Sequence, residues 1–275
     1  MNQRISKLRR ASLEARPCIS HERAELETDF YLQNEGKYST PVMRGLHFKY
    51  QCEHKTIHIG DGELIVGERG PFPKAVPTFP ELTCHSVEDL ETLNSRKMTS
   101  YGVSPETIEV YRNKVIPFWK DRSMRDKVFR DVPREWRDCY EAGMFTEFME
   151  QRAPGHTTLD GTIYQKGMLD FKREIADSLA ALDFMSDPEA TEKAEELKGM
   201  AHSCDSAVIF AERHADLAEQ MAADESDEIR KKELLEIAGV CRWVPAHAPR
   251  NFWQALQMYW FVHLGTITEL NGWDA

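Results

Sequence analysis

The longest apolar run of the sequence, FWQALQMYWFVHLG at residues 252–265, constrains the fold more than any other segment. It is shorter than the roughly 20 apolar residues that a helix needs to cross a bilayer, and it contains Gln254, Gln257 and His263. A helix that is apolar almost all round is normally buried on several sides. The run therefore predicts a core helix that begins at Pro249, ends at Gly265 and is enclosed by other helices.

Proline, glycine and capping residues divide the rest of the chain into further predicted helices. Ser20 is a candidate N-cap with Gly36 as the stop, Pro41 suits a first helical position, and Ser86 with Asp89 resembles a capping box. The predicted helices are Ile5–Ala15, Glu22–Glu35, one from Thr40, one after Ser86, one from Ser104 to near Pro117, Tyr164–Leu182, a long one from Asp187 to Met221, and Ser226–Trp243.

Two segments between these helices have a different pattern. Residues 56–59 alternate, residues 60–62 form a Gly-Asp-Gly turn, and an apolar run follows to Gly67, so a short β-hairpin is predicted near 56–67. Residues 70–80 hold four of the 13 prolines and cannot form a regular helix, which predicts an extended, ordered loop. The predicted fold class is therefore mainly α with one short hairpin.

Charge and cysteine content narrow the function classes. The net charge of −11 makes binding to nucleic acid through a broad basic surface improbable, and 29% charged residues argue against a membrane protein. The first ten residues have no apolar signal region. The six cysteines form no CxxC pair, which argues against a zinc site or a disulfide framework and favours reduced thiols in a cytoplasm.

Several short motifs are interpreted as structural. Residues 61–67 are glycine-containing but lack the GxGxxG or GK[ST] pattern of a phosphate loop. His54 and His58 have the spacing of helical zinc ligands, but the segment is predicted to be extended, which favours two surface histidines. Cys84 beside His85 is interpreted as a core cysteine next to a polar histidine, because neighbouring side chains point apart in an extended segment.

The segment from residue 141 to 167 contains the strongest candidates for chemistry. Glu147 and Glu150 would share one helix face and could divide acid and base roles, or form a solvated face with an ion pair to Arg152. His156 follows a Pro-Gly bend, and histidine is the side chain whose usual pKa suits proton donation near neutral pH. His156 is therefore the leading catalytic candidate.

The same segment, together with three others, resembles the glycyl radical enzymes of the pyruvate formate-lyase-like superfamily. The matching stretches are Asp61–Arg69, Ala142–His156, Ala211–Met221 and Gln257–Ala275. The resemblance implies a ten-stranded α/β barrel wrapped by helices, of which residues 1–275 would form the N-terminal portion.

Within that family the resemblance is strongest to the branch that dehydrates trans-4-hydroxy-L-proline to pyrroline-5-carboxylate. It implies that Phe148 packs on the pyrrolidine ring and binds substrate. It also implies that His156 and Asp274 are catalytic, because both would hydrogen-bond the C4 hydroxyl and His156 would help to protonate it as it leaves.

The resemblance also implies a protein glycyl radical on a C-terminal glycine and a thiyl cysteine on a central loop. This sequence has no Gly-Cys-Val-Glu-like or Arg-Val-x-Gly-Tyr-like segment. The expectation is an N-terminal third of an enzyme that binds no cofactor or metal and has no activity alone.

The implied partners are a small-molecule substrate, a radical S-adenosylmethionine activating enzyme and a second subunit in a homodimer. The implied location is the cytoplasm of an anaerobic bacterium. Formate C-acetyltransferase, glycerol or propanediol dehydratase and sulfo-lyase activities stay open within the family, and a helical scaffold without chemistry is the alternative outside it.

Overall fold

A computed structural model describes residues 2–145 and 159–269, and these residues are predominantly helical. The helices of the first range are α1 Gln3–Glu14, α2 Glu22–Asn34, α3 Thr40–His54, α4 Val87–Ser95, α5 Pro105–Val110, α6 Ile116–Trp119, α7 Met124–Asp131 and α8 Arg134–Glu141, with a π-helical turn at Tyr111–Val115. A 3-10 turn at Asp160–Tyr164 precedes α9 Met168–Ala180, α10 Ala190–Asp224, α11 Glu228–Trp243 and α12 Phe252–Glu269.

The predicted starts of α2, α3, α4 and α5 are correct, whereas those of α1, α9, α10, α11 and α12 differ from the structure by two to four residues. Ser86 and Asp89 form the predicted capping box at α4, and Ser104 accepts a hydrogen bond from the backbone N–H of Thr107 at α5. Ser20 is not the N-cap of α2, because it lies in a strand and His21 holds the cap position. Helices α7 and α8 had no sequence prediction.

The sequence predicted that the last helix ends at Gly265. This prediction is wrong, because α12 continues to Glu269. A Cβ added at Gly265 would lie 3.2 Å from Cζ of Phe48 on α3. The lack of a side chain at Gly265 therefore lets α12 pack closely against Phe48 of α3. This contact, and not a turn, explains the glycine inside the helix.

The predicted hairpin at 56–67 is absent, since this segment contains no strand. Side chains of α12 bind its backbone instead. The amide of Gln257 donates to the carbonyl of Val66 and accepts from its N–H, both at 2.8 Å, and the indole of Trp253 donates to the carbonyl of Leu64 at 2.8 Å. Trp260 likewise donates to the carbonyl of Gly67 at 2.9 Å. These bonds satisfy backbone groups that a second strand would otherwise pair.

The strands that form in the described ranges lie elsewhere. Strand β1, Cys18–Ser20, pairs in parallel with β2, Ala75–Pro77, so the proline-rich loop is extended and ordered as predicted. On the other side of β1, the N–H of Ile19 donates to the carbonyl of Gly102 at 2.8 Å. This small sheet places the start of α2 beside the proline-rich loop.

The main core lies where α3, α10, α11 and α12 meet. Its fully buried residues include Phe261, Leu264, Leu234 and Ile237, so the apolar run is a core helix as predicted. Helices α3 and α10 approach closely at Gly45 and Gly199. Within the described ranges, no helix is both long enough and apolar enough to cross a membrane.

Candidate functional site

The three site residues proposed from the sequence, Phe148, His156 and Asp274, lie outside the described residues, as do Glu147, Glu150 and Arg152. The described chain nevertheless reaches close to one of them in sequence. The last residue of the described range is Glu269 on α12, five positions before Asp274. The surroundings of Thr268 and Glu269 are therefore the candidate site.

Arg23 of α2 is the central side chain around Thr268 and Glu269, and it is 5% exposed. Its Nε donates to the carbonyl of Thr268 at 2.7 Å, and Nη2 donates to the carbonyl of Glu269 at 3.4 Å. Nη1 donates to the carbonyl of Thr78 at 3.1 Å, and the carboxylate of Glu81 accepts from both terminal nitrogens at 3.2 and 2.6 Å. These acceptors match the five N–H groups of a guanidinium.

Further buried polar groups surround Arg23. Glu27, one turn along α2, lies 3.4 Å from it and forms an ion pair with His47 of α3. Gln51 donates to the carbonyl of Arg23 at 3.1 Å. Burial opposes ionisation of Glu27, but attraction to His47 and Arg23 outweighs it and holds the pKa of Glu27 below its usual value. Burial prevails at Glu81, whose pKa is raised despite the same arginine.

Lys55 is a second cation beside Thr268 and is 4% exposed. Its ammonium donates to the hydroxyl of Thr268 at 3.2 Å and to the carbonyl of Arg69 at 3.1 Å, and it lies 5.0 Å above the ring centre of Phe210. Burial lowers the pKa of Lys55 to about 8. The lowered pKa shows that removing this ammonium from water disfavours its charged form.

Arg44 of α3 completes the group, because its Nε donates to the Glu269 carboxylate at 3.0 Å. We call Arg23, Arg44 and Lys55 the cation cluster. The cluster thus binds backbone carbonyls and side chains of Thr268 and Glu269.

The cation cluster was not predicted from the sequence. Arg23 and Thr268 are 245 positions apart, and no periodic pattern connects them. A usable signal was present in α2, where Arg23 and Glu27 are spaced by one turn on the same face as the buried Ala24 and Thr28. Charged residues on a buried helix face are almost always paired, which would have marked this face as a polar network.

Three cysteines and His54 have the surroundings of structural residues, whereas His58, predicted to lie on the surface, is half-buried. Cys52, Cys204 and Cys241 lie buried in helices, and burial raises their pKa values to about 12, 11 and 12, so they are protonated near neutral pH. His54 is exposed as predicted, but it lies on the last turn of α3 and stacks on Tyr50 at 4.1 Å, not in an extended segment.

Cys84 is half-buried, and burial raises its pKa to about 12, which agrees with the structural interpretation. Across residues 2–145 and 159–269, no three His, Cys, Asp or Glu side chains are grouped so as to hold a metal ion.

The family model described as pyruvate formate lyase-like matches residues 1–275. The chain belongs to this family. It is 51% identical over 273 residues to trans-4-hydroxy-L-proline dehydratase of Clostridioides difficile, and the match covers 99% of this chain and 35% of that protein. It is 28% identical to isethionate sulfite-lyase of Nitratidesulfovibrio vulgaris, covering 92% of this chain and 32% of the relative.

Solved structures of family members share the fold described above. Hydroxyproline dehydratase of Clostridioides difficile, crystallised with trans-4-hydroxy-L-proline bound, superposes with a TM-score of 0.94 over 100% of this chain and 35% of its own. The B12-independent glycerol dehydratase of Clostridium butyricum, at 29% identity, superposes with a TM-score of 0.89 over 99% of this chain and 35% of its own. The chain thus spans about one third of the length of these relatives.

Another match, a glycyl radical enzyme from Archaeoglobus fulgidus, has a TM-score of 0.87 at 28% identity. The helices and the cation cluster therefore belong to the N-terminal part of a fold that in these relatives continues well beyond the region matched here. Gly265, a glycine late in this chain, is packed against Phe48 inside α12 and does not fit a radical-bearing loop.

Proposed function

We propose that this chain is the N-terminal, substrate-contacting part of a glycyl radical dehydratase that removes water from trans-4-hydroxy-L-proline to give pyrroline-5-carboxylate. The observation that carries the proposal is the 51% identity, together with a TM-score of 0.94, to a dehydratase solved with that substrate bound. Relatives that act on glycerol or isethionate are 28–29% identical, which favours the hydroxyproline branch.

In this proposal the chain's own residues bind the substrate and handle one proton. Phe148 packs on the pyrrolidine ring, and Asp274 accepts a hydrogen bond from the C4 hydroxyl. His156 donates the proton with which that hydroxyl leaves as water, a role that suits the usual pKa of histidine. A glycyl radical and the thiyl cysteine that it generates would supply the hydrogen-atom abstraction that starts the reaction.

The same proposal includes the partners and the location. A radical S-adenosylmethionine activating enzyme would install the radical, and the full-length protein would form a homodimer. The protein would work in the cytoplasm of an anaerobic bacterium, because oxygen reacts readily with carbon-centred radicals.

The experiment that tests the proposal uses the activated full-length enzyme that contains this chain. We expect turnover of hydroxyproline, and not of glycerol or isethionate. His156→Ala and Asp274→Asn should each lower kcat by roughly 10²–10⁴-fold, because each contact is strongest as the C–O bond breaks.

Radical content, measured by electron paramagnetic resonance, should be unchanged in both variants and serves as the control for activation. Turnover within about threefold of the parent at equal radical content would contradict the assignment of these residues, since losing an acid–base group costs far more. Turnover of glycerol or isethionate in place of hydroxyproline would instead place the enzyme in another branch of the family.

A further inference from the structure

Helix α12 carries an apolar stripe on the side that faces away from the core. Phe252, Leu256 and Tyr259 are 77%, 40% and 42% exposed, and their spacing of four and three residues places them on one face of the helix. His263 follows one turn later, and its ring stacks on that of Tyr259 with the ring centres 6.0 Å apart. We call these four residues the outward stripe.

The outward stripe lacks the charged side chains that a helix surface normally presents to water. From Phe252 to Thr268 the helix contains no Asp, Glu, Lys or Arg. Helices α10 and α11, which meet α12 in the main core, place charged residues such as Glu192 and Lys232 on their exposed faces. A helix without a charged face is typical of the interior of a large protein. The described residues therefore cover only one side of a helix whose composition suits burial on both.

The stripe is a preformed surface, because the side chains at its edge are held in place. The indoles of Trp253 and Trp260 donate to the carbonyls of Leu64 and Gly67 at 2.8 and 2.9 Å. The ring of Trp260 also stacks on His263 with the ring centres 5.2 Å apart. Partial burial lowers the pKa of His263, so its imidazole is neutral at pH 7 and adds no charge to the stripe.

The relatives indicate which kind of partner is available. Hydroxyproline dehydratase of Clostridioides difficile superposes on the whole of this chain with only 35% of its own length, so about two thirds of that polypeptide lies outside the matched part. A second copy of this chain is a poorer partner for the stripe. Each copy has a net charge of −11, and two copies would bring like charges together around an uncharged surface.

We propose that the outward stripe of α12 is the docking surface for the part of the full-length protein that follows residue 275. That part buries Phe252, Leu256 and Tyr259 with an apolar, uncharged surface of its own, and α12 becomes a helix enclosed on all sides. This inference rests on the proposed function in one respect, because it takes the chain to be the N-terminal part of a longer protein. It does not depend on the substrate.

The first test is hydroxyl-radical footprinting of the unmodified full-length protein, with the oxidation of each residue measured by mass spectrometry. Phe252 should be oxidised roughly tenfold more slowly than Phe184, because a side chain that is 77% exposed in the described part becomes a core residue. Phe184 is the matched control, since it has the same chemistry and is 60% exposed in the loop between α9 and α10. Tyr259 is compared with Tyr38, which is 49% exposed, in the same way. Equal rates within each pair overturn the proposal.

The second test identifies the partner by photo-cross-linking. Tyr259→p-benzoyl-L-phenylalanine in the full-length protein should cross-link within a single chain to a peptide that follows residue 275. A product with the mass of a dimer shows that a second copy covers the stripe, and it overturns the proposal. Cross-links confined to residues 1–275 overturn it as well, and so does the absence of any cross-link, because solvent then surrounds the stripe. If this variant does not fold, Phe252→p-benzoyl-L-phenylalanine tests the same surface with the same outcomes.

Turnover of hydroxyproline by the unmodified protein, measured on the same preparation, keeps the two proposals separate. A protected stripe in a protein that does not dehydrate hydroxyproline supports the docking surface and contradicts the proposed function. An exposed stripe in a protein that does dehydrate it overturns the docking surface and leaves the proposed function standing.

Discussion

At the scale of single residues, His214 of α10 is a buried histidine whose charge state depends on folding. Its Nδ1 donates to the carbonyl of Phe210 at 2.8 Å, which leaves Nε2 unprotonated and, among the described residues, without a hydrogen-bond partner. The rings of Phe210 and Phe261 lie beside it. Burial lowers the pKa of His214 to about 3, so the imidazole is neutral in the folded protein.

This histidine predicts a specific loss of stability in acid. The unfolded chain takes up a proton near its usual pKa of about 6.5, whereas the folded chain does so only near 3, so stability is lost as pH falls below about 6.5. By about pH 4.5 the loss amounts to roughly 3 kcal/mol.

His214→Phe should remove this part of the pH dependence, measured by urea unfolding of the full-length protein at about pH 7 and about pH 4.5. His54→Gln, at an exposed histidine, is the control. Its free energy of unfolding should differ between the two pH values by as much as that of the parent. Equal pH dependence in His214→Phe and the parent would contradict the assignment.

At the scale of secondary-structure elements, the contact between α3 and α10 depends on two glycines. A Cβ at Gly45 would lie 2.5 Å from the carbonyl oxygen of Gly199, and a Cβ at Gly199 would lie 2.5 Å from the carbonyl oxygen of Pro41. Backbone atoms cannot yield as a flexible side chain can, so the helices would have to separate.

We therefore expect Gly45→Ala and Gly199→Ala each to destabilise the protein by about 1–3 kcal/mol, the usual cost of overpacking. Gly239 on α11 is the matched control, because it is helical and exposed and a Cβ there meets nothing within 4 Å. Gly239→Ala should stabilise the protein by about 0.5–1 kcal/mol. Thermal unfolding of the three variants measures whether each substitution stabilises or destabilises the protein. Stabilisation by Gly199→Ala would contradict the packing of α3 on α10.

The elements also show what a sequence can predict. Several signals within a few residues gave correct predictions, such as the capping box at Ser86 and the proline at the start of α3, although the N-cap signal at Ser20 did not. Patterns whose structure depends on distant partners gave wrong predictions. Residues 56–67 have the pattern of a hairpin, but the side chains of Gln257 and Trp253 bind their backbone. Gly265 has the pattern of a stop but accommodates Phe48.

The predictions for the candidate site show the same difference between local signals and distant partners. The cation cluster joins residues far apart in sequence, so the sequence could mark Arg23 and Glu27 as part of a polar network but could not identify the partners of Arg23 on α12. Phe148, His156 and Asp274 came from a resemblance to a family and not from periodicity, and they stay predictions.

At the scale of the whole molecule, α12 has one buried and one outward apolar face. Met258, Phe261 and Leu264 are buried, whereas Phe252 is 77% exposed and Leu256 40% exposed. Tyr259 continues the outward face one turn further along, at 42% exposure. An apolar surface of this kind marks an interaction site or a tendency to aggregate.

We predict that the 275-residue chain in isolation is marginally soluble and binds a hydrophobic fluorescent dye at this face. Phe252→Lys combined with Leu256→Lys should reduce the dye fluorescence by about half or more, because the two residues lie one turn apart on the same face. Met185→Lys is the control, since Met185 is 95% exposed in the loop between α9 and α10. Unchanged fluorescence in the double variant would show that the dye binds elsewhere.

The wide separation between Arg23 and Thr268 has a consequence for biosynthesis. A ribosome releases the chain from its N-terminus, so α2, α3 and the loop that carries Glu81 emerge long before α12 is translated. Arg23 can pair with Glu81 and pack on Phe79 during that interval, whereas its bonds to Thr268 and Glu269 close a loop of 245 residues and must form late. The pairing of Arg23 with Glu81, which prepares Arg23 to bind Thr268 and Glu269, can therefore form before α12 is translated.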